Sequence, residues 1–557
     1  MAKIMQPVLI SGAGPAAEGA VSISGADGAA KASGGIPAGS DALPPDYPSL
    51  VASLAQYGQS VCENWDMVCS YNLADLNRLL NAAAGTEKVS VPFSGTGVDP
   101  EGGQNFTITG TAVLDQPQLQ FLADGRCQVT MPISGGSYYY TNQGQPPMPT
   151  QQIGAGYSIV AAVPLYAIKA NGTAAQQGDG VVVFDPATGP VSLVLHFKTQ
   201  GTGTDWSIAP VPPIGSYMAY LLQAVQDYFE QHVDEIDYAL AGLNPAPAAG
   251  DDAVTPVAFT FATHTTSDGT SMLALFIAAG QSGIGKPTPV IETPLIAGTE
   301  SATLIFSRPF ILTGFLQPGL QGGTVSSAPD GSFSAQMNTQ ATIQAVNIFQ
   351  PGNAGSSISI VADAKTLDMS SYPYTLAFGG SSLTIVNDIV EQQPYEVETY
   401  IPGPGGSSQS YTATGTAQVG KSFTYADCAP LSQTELKLTA TIGQSDYAVS
   451  VDPGRGGGGC GDDVNTQIKT AIQQGLSGVL PTIEFDFSPL NFFAATNLLL
   501  PGQSVITFDT TAGLSVPNEF LIAGNVAAPP SVSSRSSRRG DRPFGATRAR
   551  RARRRPS

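Results

Sequence analysis

The spacing of apolar residues changes along this chain, and each change predicts a different kind of element. Between residues 86 and 212, and again from 254 onwards, short apolar or alternating runs are separated by Gly and Pro, which is typical of strands. These runs include "FTITGTAVL", "CQVTMPI", "YSIVAAVPLYAI" and "VSLVLHF", and later "VAFTFATH", "SMLALFIAAG", "ATLIFSRPFILTGFL" and "KLTATIG". The pattern therefore predicts a β-rich protein.

Two stretches have the period of a short amphipathic helix. A leucine pattern begins after Asn72, a candidate N-cap, and stops at Gly85; it consists of Leu73, Leu76, Leu79 and Leu80. Near the C-terminus, four apolar residues lie four positions apart and predict a second helix: Val464, Ile468, Ile472 and Leu476.

The longest helical pattern runs from Ile214 to Asn244 and predicts a single amphipathic helix of roughly 42 Å. Its apolar stripe consists of Met218, Leu221, Leu222, Val225, Phe229, Val233, Ile236 and Leu240. Such a helix is ordinarily core packed on a sheet. A twisted sheet wrapped around it could instead leave an apolar tube for an acyl chain.

The order of these patterns predicts an α+β, β-rich fold with two units, because strands followed by a helix occur twice. A chain of 557 residues is also too long for one ordinary core. We place a disordered Gly/Ala/Ser-rich lead-in at 1–45, a first module at 46–245, a second module at 254–527 and a disordered arginine-rich tail at 528–557.

Charge is scarce and unevenly distributed. Charged residues make up 12% of the chain, about half the usual share, and the formal net charge is −19. Most of the arginines lie in the tail, so the remaining body is strongly acidic and should repel nucleic acid and anionic lipid at long range. The tail could contact anionic surfaces, could be a solubilising segment, or could lie outside the native coding sequence.

The sequence does not suggest a disulfide scaffold or a membrane span. The 5 cysteines form no C-x-x-C pair. The N-terminus lacks the pattern of a signal peptide, and no apolar run reaches about 18 residues. We therefore expect a protein that stays in the cytoplasm or is released without a classical signal, with no transmembrane segment.

Three apparent catalytic or cofactor motifs lack the neighbouring residues that the corresponding site requires. "GAGPAA" satisfies a dinucleotide fingerprint, but no stable helix can follow it. "GQSGIGK" matches a phosphate loop, yet Pro287 stands where a magnesium ligand should be. His196, His232 and His264 share no ligand spacing. We expect no enzyme activity, no cofactor and no metal.

Three segments resemble the clostridial P-forty-seven family, the accessory proteins of botulinum neurotoxin gene clusters, and its OrfX relatives. The first contains Trp65, Asp66, Tyr71, Asn77 and Leu80; the second contains Phe229, Ile236, Tyr238 and Asn244; the third contains Asn497, Leu498, Pro501, Gly502, Gly513, Pro517, Leu521 and Gly524. The Gly-rich lead-in, the arginine tail and the low Lys content depart from the family.

This resemblance implies two modules of the tubular lipid-binding (TULIP) type, in each of which a curved antiparallel sheet wraps a long amphipathic helix. It implies a non-enzymatic protein that binds lipid, another apolar ligand or an anionic membrane, and that could accompany a toxin complex with partners encoded by neighbouring genes. The candidate ligand-lining residues are Met218, Leu221, Leu222, Val225 and Phe229.

The other family positions would have a structural role, among them Trp65, Asp66, Asn77, Tyr238, Asn497, Pro501 and Gly502. Trp65 is either a buried anchor for the first strand or an interfacial contact. The alternative function is a structural scaffold, or a partner-binding component of a larger complex, without bound lipid.

Overall fold

The computed structural model describes residues 42–84, 88–98, 103–122, 125–154, 156–169, 181–184, 190–195, 205–209, 222–223, 226–228, 238–245, 254–280, 284–317, 323–328, 332–378, 382–403, 405–424, 439–452, 454, 462–477, 483–486, 498–499, 505–509, 512 and 514–527. Most of the predicted lead-in and all of the predicted arginine-rich tail lie outside these ranges. The proposed division into modules at 46–245 and 254–527 stays a prediction.

The first part of the chain contributes twelve strands to the described structure. They are β1 (Met67–Asn72), β2 (Val89–Val98), β3 (Asn105–Leu114), β4 (Gln118–Phe121), β5 (Cys127–Asn142), β6 (Gln151–Gln152), β7 (Ser158–Val163), β8 (Leu165–Lys169), β9 (Val182–Val183), β10 (Val191–Leu195), β11 (Asp205–Ala209) and β12 (Tyr238–Leu243).

The remaining described strands follow from residue 256. They are β13 (Pro256–Thr265), β14 (Ser271–Ala279), β15 (Ala302–Phe306), β16 (Thr324–Ser327), β17 (Phe333–Gln336), β18 (Gln340–Ile343), β19 (Val346–Pro351), β20 (Ser357–Ala362), β21 (Lys365–Asp368), β22 (Tyr374–Phe378), β23 (Ser382–Tyr400), β24 (Ser407–Thr424), β25 (Thr439–Ile442), β26 (Ala448–Asp452), β27 (Ile483–Asp486), β28 (Leu498–Leu499), β29 (Val505–Phe508), β30 (Leu514–Ser515) and β31 (Phe520–Ala527).

Helices are fewer in the described ranges. They are α1 (Tyr47–Tyr57), α2 (Leu73–Ala84), α3 (Arg308–Ile311), a π-helix (Leu312–Leu316), α4 (Asp462–Ser477) and three single 3₁₀ turns (Asn353–Gly355, Met369–Ser371 and Gln444–Asp446). The fold is β-rich and contains a sheet that curls into half a barrel, which confirms the predicted class at this level.

A central sheet joins distant parts of the chain. Its strand order is β29-β31-β15-β1-β14-β13-β9, with β30 on β31. Strand β1 is antiparallel to both neighbours, so that Cys69 lies between Leu275 of β14 and Leu304 of β15. Because β31 then pairs with β15, the strand near residue 520 is two strands away from β1.

The middle of this sheet is buried on both faces. Every residue of β14 is buried. Alternate residues belong to two different clusters: Leu273, Leu275 and Ile277 lie in one, which we call the main core, while Ala274 and Phe276 lie in the other, the outer core. A continuous apolar run is what two-sided burial requires of a strand.

Helix α1 covers the outer core. It starts at Asp46, whose side chain accepts a hydrogen bond from Ser49 N at 2.9 Å, and ends at Gly58 in the left-handed conformation. The helix buries Leu50 and Leu54 against the sheet. Two cavities beside α1 hold about 10 Å³ each, roughly the space of one water, so the layer is closely packed.

Trp65 lies in the outer core with 1% of its surface exposed, which places it as a buried anchor. Its indole N–H donates to the carbonyl oxygen of Lys286 at 3.0 Å. A Cβ on Gly285 would lie 2.4 Å from the indole Cδ1, so only glycine fits there without rearrangement. The end of the phosphate-loop-like sequence therefore packs on the tryptophan.

Helix α2 packs on the opposite face, in the main core. Asn72 Oδ1 accepts from Asp75 N at 2.8 Å, which confirms the predicted N-cap. The four predicted leucines are all members of the main core: Leu73, Leu76, Leu79 and Leu80.

Two further large sheets are built from chain segments that lie between strands of the central sheet. The N-terminal sheet has the order β11-β7-β5-β3-β2, with β4 and β6 on β5. The C-terminal sheet has the order β16-β17-β22-β23-β20-β19, with β24 on β23 and β26 on β24. Helix α4, a predicted element, packs on the C-terminal sheet, where Leu476 and Ile472 approach the Cβ position of Gly415 at 3.4 and 3.6 Å.

The prediction of one helix from Ile214 to Asn244 is wrong at its C-terminal end. Residues 222–223 and 226–228 are helical, but Tyr238–Leu243 form β12, between β10 and β28. The alanines and leucines of "YALAGL" favour a helix and only Gly242 disfavours one, so pairing with β10 decides the conformation of this segment. The rest of the predicted helix lies outside the described residues, and a long helix enclosed by sheet is not shown.

The run "ATLIFSRPFILTGFL" is likewise a strand only as far as Phe306. Ser307 then caps α3, because its hydroxyl accepts from Phe310 N at 3.4 Å, and Pro309 lies in the first turn. Within the described part of the chain, no helix combines the length and apolar composition needed to cross a bilayer.

The contact between Gly285 and Trp65 generates a stability prediction. Gly285→Ala should lower the free energy of unfolding by roughly 1–3 kcal/mol, because the added methyl group overlaps the indole ring. The measurement is the urea midpoint followed by circular dichroism. Gly154→Ala is the control, since its Cβ would meet no atom within 4 Å. Equal midpoints for both variants would contradict the packing described.

Candidate functional site

The inner face of the N-terminal sheet is the best candidate for a ligand site. Burial alternates along its strands, as in β3, where Phe106, Ile108, Ala112 and Leu114 are buried while Thr107 is exposed. The buried residues belong to the main core. One face of the sheet is therefore apolar and the other faces solvent.

Aromatic residues concentrate at one end of this face. The ladder places Phe93, Gly110 and Tyr138 in one row, and Gly95, Ile108 and Tyr140 in the next. The ring of Phe93 fills the space above Gly110, whose Cβ would lie 2.4 Å from the ring.

The two tyrosines are only half-buried although they pack against the main core. The phenol of Tyr138 donates to Gln151 Oε1 at 2.7 Å, and burial raises its pKa. Tyr139, between them, points to the opposite face and is 37% exposed. The apolar face thus ends in aromatic rings that keep a polar tip near solvent.

The site opens where β2, β3 and β5 end. A cavity of about 630 Å³ is lined there by residues of all three strands, including Gly97, Phe106 and Asn142. These three residues occupy one row of the inner face. The cavity is an open, mostly polar cleft at the end of the sheet, because Thr96, Thr107 and Thr141 of the opposite face also line it, and it meets the apolar face at Phe106.

The predicted ligand-lining residues are only partly described. Leu222 is half-buried in a helical segment and packs against the main core, as does Tyr228. The other predicted lining positions lie outside the described residues: Met218, Leu221, Val225 and Phe229. Sequence reasoning missed the aromatic end of the sheet, although a run of aromatic residues and Thr such as "SYYYT" is typical of a strand.

The family-motif residues that are described hold elements together. Asp66 Oδ2 accepts from Ala279 N at 2.6 Å, which joins the start of β1 to the end of β14. Asn77 links α2 to β4 through two bonds with Leu119, Oδ1 accepting from its N–H at 2.8 Å and Nδ2 donating to its carbonyl at 3.0 Å. Tyr238 begins β12. Asn497, Pro501 and Gly502 lie outside the described residues.

Two carboxyl groups are buried near α1, away from the aromatic end of the N-terminal sheet. Glu519 accepts from the Ser60 hydroxyl at 2.5 Å and from Val61 N at 3.0 Å, and burial nevertheless raises its pKa. Burial also raises the pKa of Glu300, with a further contribution from the charges of Asp509 and Asp46. Within the described ranges, Glu300 Oε2 has no hydrogen-bond partner.

The described residues offer little reactive chemistry. Cys62, Cys69 and Cys127 are free and buried, and burial raises the pKa of each thiol, to about 12 for Cys127. Thiols with raised pKa values are poor nucleophiles at neutral pH. No group of three or more His, Cys, Asp or Glu side chains suited to a metal ion occurs among the described residues.

Comparison with known proteins gives structural neighbours but no sequence relatives. No known protein family and no curated protein matches the chain in sequence. The structure is similar to P47 from Clostridium botulinum A2, with a TM-score of 0.48 and 14% identity over 83% of this chain and 98% of that one. P47 of Clostridium botulinum E1 has a TM-score of 0.44 and 12% identity over 83% and 99%.

A third neighbour is a lipopolysaccharide binding protein, with a TM-score of 0.23 and 10% identity over 84% of this chain and 99% of that one. Structures of the family that the sequence motifs resemble are thus among the structural neighbours of the chain.

The buried Glu300 carboxyl predicts a pH-dependent stability. Its pKa in the folded protein lies above the ordinary value of 4.5, so the folded state binds more protons and the free energy of unfolding falls as pH rises past that value. Glu300→Gln should therefore raise the melting temperature near neutral pH, and this gain should shrink as pH approaches 4.5. Glu396→Gln, at an exposed position, is the control. A gain that is independent of pH would contradict the prediction.

Proposed function

We propose that this chain is a non-enzymatic protein that binds lipid or another apolar ligand against the inner face of its N-terminal sheet. The observation that carries the proposal is the half-buried pair Tyr138 and Tyr140, which lies on an otherwise buried apolar face. A face that served only as core would be closed at this end.

The chemistry of the site favours an apolar ligand with a small polar group. Phe106 and Ile108 are buried beneath the two rows nearest the opening, and the rings of the half-buried Tyr138 and Tyr140 supply the accessible apolar surface beside them. Asn142 lines the opening and offers its amide for hydrogen bonds. An acyl chain would gain roughly 0.8 kcal/mol for each CH₂ group that leaves water. The acidic body disfavours an anionic ligand that arrives from solution.

In this proposal the helical stripe closes the site. Leu222 packs on the main core, and Leu221, Val225 and Phe229 lie four positions apart in the sequence, which is the spacing of a helical stripe. A ligand would then lie between the helix and the sheet. Membership of a toxin complex remains a prediction from the family resemblance alone.

Native mass spectrometry of the full-length protein, with organic extraction and lipid analysis, tests the proposal. We expect a bound lipid or another apolar molecule that is released on extraction. A protein without any such molecule, also after incubation with mixed liposomes, would overturn the proposal and favour the scaffold alternative.

A pair of tyrosine variants locates the ligand. Tyr140→Ala should weaken binding of an uncharged fluorescent fatty-acyl ester by about 1 kcal/mol, or roughly fivefold, because it removes an apolar contact at the opening. Tyr139→Ala should leave the affinity unchanged, since this side chain is on the opposite face of the same strand. Equal effects of the two changes would place the ligand elsewhere.

A further inference from the structure

One end of the C-terminal sheet has an apolar surface that packing within the sheet does not explain. Strand β19 ends at Pro351, β20 begins at Ser357, and β23 ends at Tyr400, and these three residues share one row of the ladder. Strand β24 begins beside the same row, since Ser407 pairs with Thr399. Four strands therefore have one of their ends at the same end of the sheet.

The two loops at this end touch each other. A Cβ on Gly355, in the loop between β19 and β20, would lie 3.2 Å from Cγ of Pro402, just after β23. Gly355 has a φ of +81°, which a glycine adopts without strain. The two loops therefore pack against each other and form one continuous surface at this end of the sheet, which we call the blunt end.

Large apolar side chains are exposed at this blunt end. The exposed fractions are 66% for Phe349, 58% for Tyr400 and 51% for Ile401. Pro351 and Pro402 are also exposed. We refer to Phe349, Pro351, Tyr400, Ile401 and Pro402 as the tip. Phe349 and Tyr400 lie on the same face, on either side of the small residues Ser357 and Ser359.

The tip is also free of charge in an otherwise acidic protein. The sequence has no charged residue from 331 to 362 or from 399 to 420, although the net charge of the chain is −19. The nearest charges on the outer face are acidic, because Glu396 and Glu398 precede Tyr400 on the exposed side of β23. An anionic surface would be repelled there, whereas a surface without net charge would not.

We propose that the tip is a membrane anchor that inserts into the headgroup region of a zwitterionic lipid bilayer. Aromatic and aliphatic side chains beside uncharged Gly, Ser and Pro residues suit the lipid–water interface. Glu398 lies about 7 Å from Tyr400 along β23, in the same row of the ladder as Phe349, so it limits insertion to the level of Phe349. This inference goes beyond the proposed function, because it concerns an outer surface and needs no ligand inside the N-terminal sheet.

Flotation of the full chain with phosphatidylcholine vesicles tests the anchor. Wild-type protein should float with these vesicles, keep this binding at high salt and bind less when phosphatidylglycerol is added. Binding that requires phosphatidylglycerol and is lost at high salt would assign the interaction to the arginine tail and overturn the proposal. No flotation with phosphatidylcholine would overturn it as well.

Variants localise the contact. The triple variant Phe349→Ser, Tyr400→Ser, Ile401→Ser should bind phosphatidylcholine vesicles at least about tenfold more weakly. The double variant Val386→Ser, Val390→Ser is the matched control, because these valines are 43% and 50% exposed on the same face of β23, away from the tip. Equal binding by the triple variant and the wild type would overturn the proposal.

A gain-of-signal variant covers the case in which the triple variant does not fold. Tyr400→Trp should show a blue shift of tryptophan emission with phosphatidylcholine vesicles, and brominated lipid should quench it. The wild-type protein, with its 2 tryptophans Trp65 and Trp206, gives the background emission with and without vesicles. Emission that does not change on addition of vesicles would contradict insertion of the tip, whatever the lipid analysis of the purified protein finds.

Discussion

Two-sided burial of the central sheet is the constraint on which the rest of the structure depends. Strand β14 is buried at every position and apolar from Met272 to Ala279, so it needs a layer on each face. The main core covers one face, and α1 with Trp65 covers the other. Removing either layer would expose a continuous apolar strand surface, which costs about 25 cal/mol for each Å².

The start of β1 is where these layers are joined. Trp65 and Asp66 are adjacent in the chain, yet they serve different elements: the indole bonds to the Lys286 carbonyl, and the carboxylate bonds to the amide of Ala279 at the end of β14. The carbonyl of Asp66 also accepts from Ser307 N at 2.8 Å, just after β15. One dipeptide thus fixes the ends of both strands that flank β1.

Local signals in the sequence predicted local structure well. Helices α2 and α4 have leucine or isoleucine spacing with recognisable ends, and both are found. Helix α1 was missed, although Asp46, Pro48 and Gly58 are an N-cap, a first-turn proline and a left-handed stop. These signals are present in the sequence, but the helix is short and follows directly on the Gly/Ala/Ser-rich segment at 1–45.

Non-local pairing explains what the sequence could not provide. Tyr238–Leu243 continues a helical period, yet it becomes a strand because β10 and β28, distant in sequence, lie on either side. Gly285 and Trp65 are more than two hundred residues apart in the sequence, yet they are in contact. The segment that resembles a phosphate loop therefore packs against the tryptophan. The aromatic site has the same origin, since only the register of β2, β3 and β5 brings Phe93, Ile108 and Tyr140 together.

The alternation of strands finally separates the two surfaces to which we assign function. A strand with period two has one apolar and one polar face, and the inner face of the N-terminal sheet follows this rule until half-buried tyrosines interrupt it. Along β23 of the C-terminal sheet the outer face is mixed, since the exposed Val386 and Val390 alternate there with polar residues, and its charged residues recur up to Glu398. At Tyr400 an aromatic residue replaces the polar one. Both candidate surfaces therefore lie at strand ends, where aromatic residues are more exposed than the burial pattern of the strand predicts. Packing does not require this exposure, and for that reason we assign function to these two surfaces.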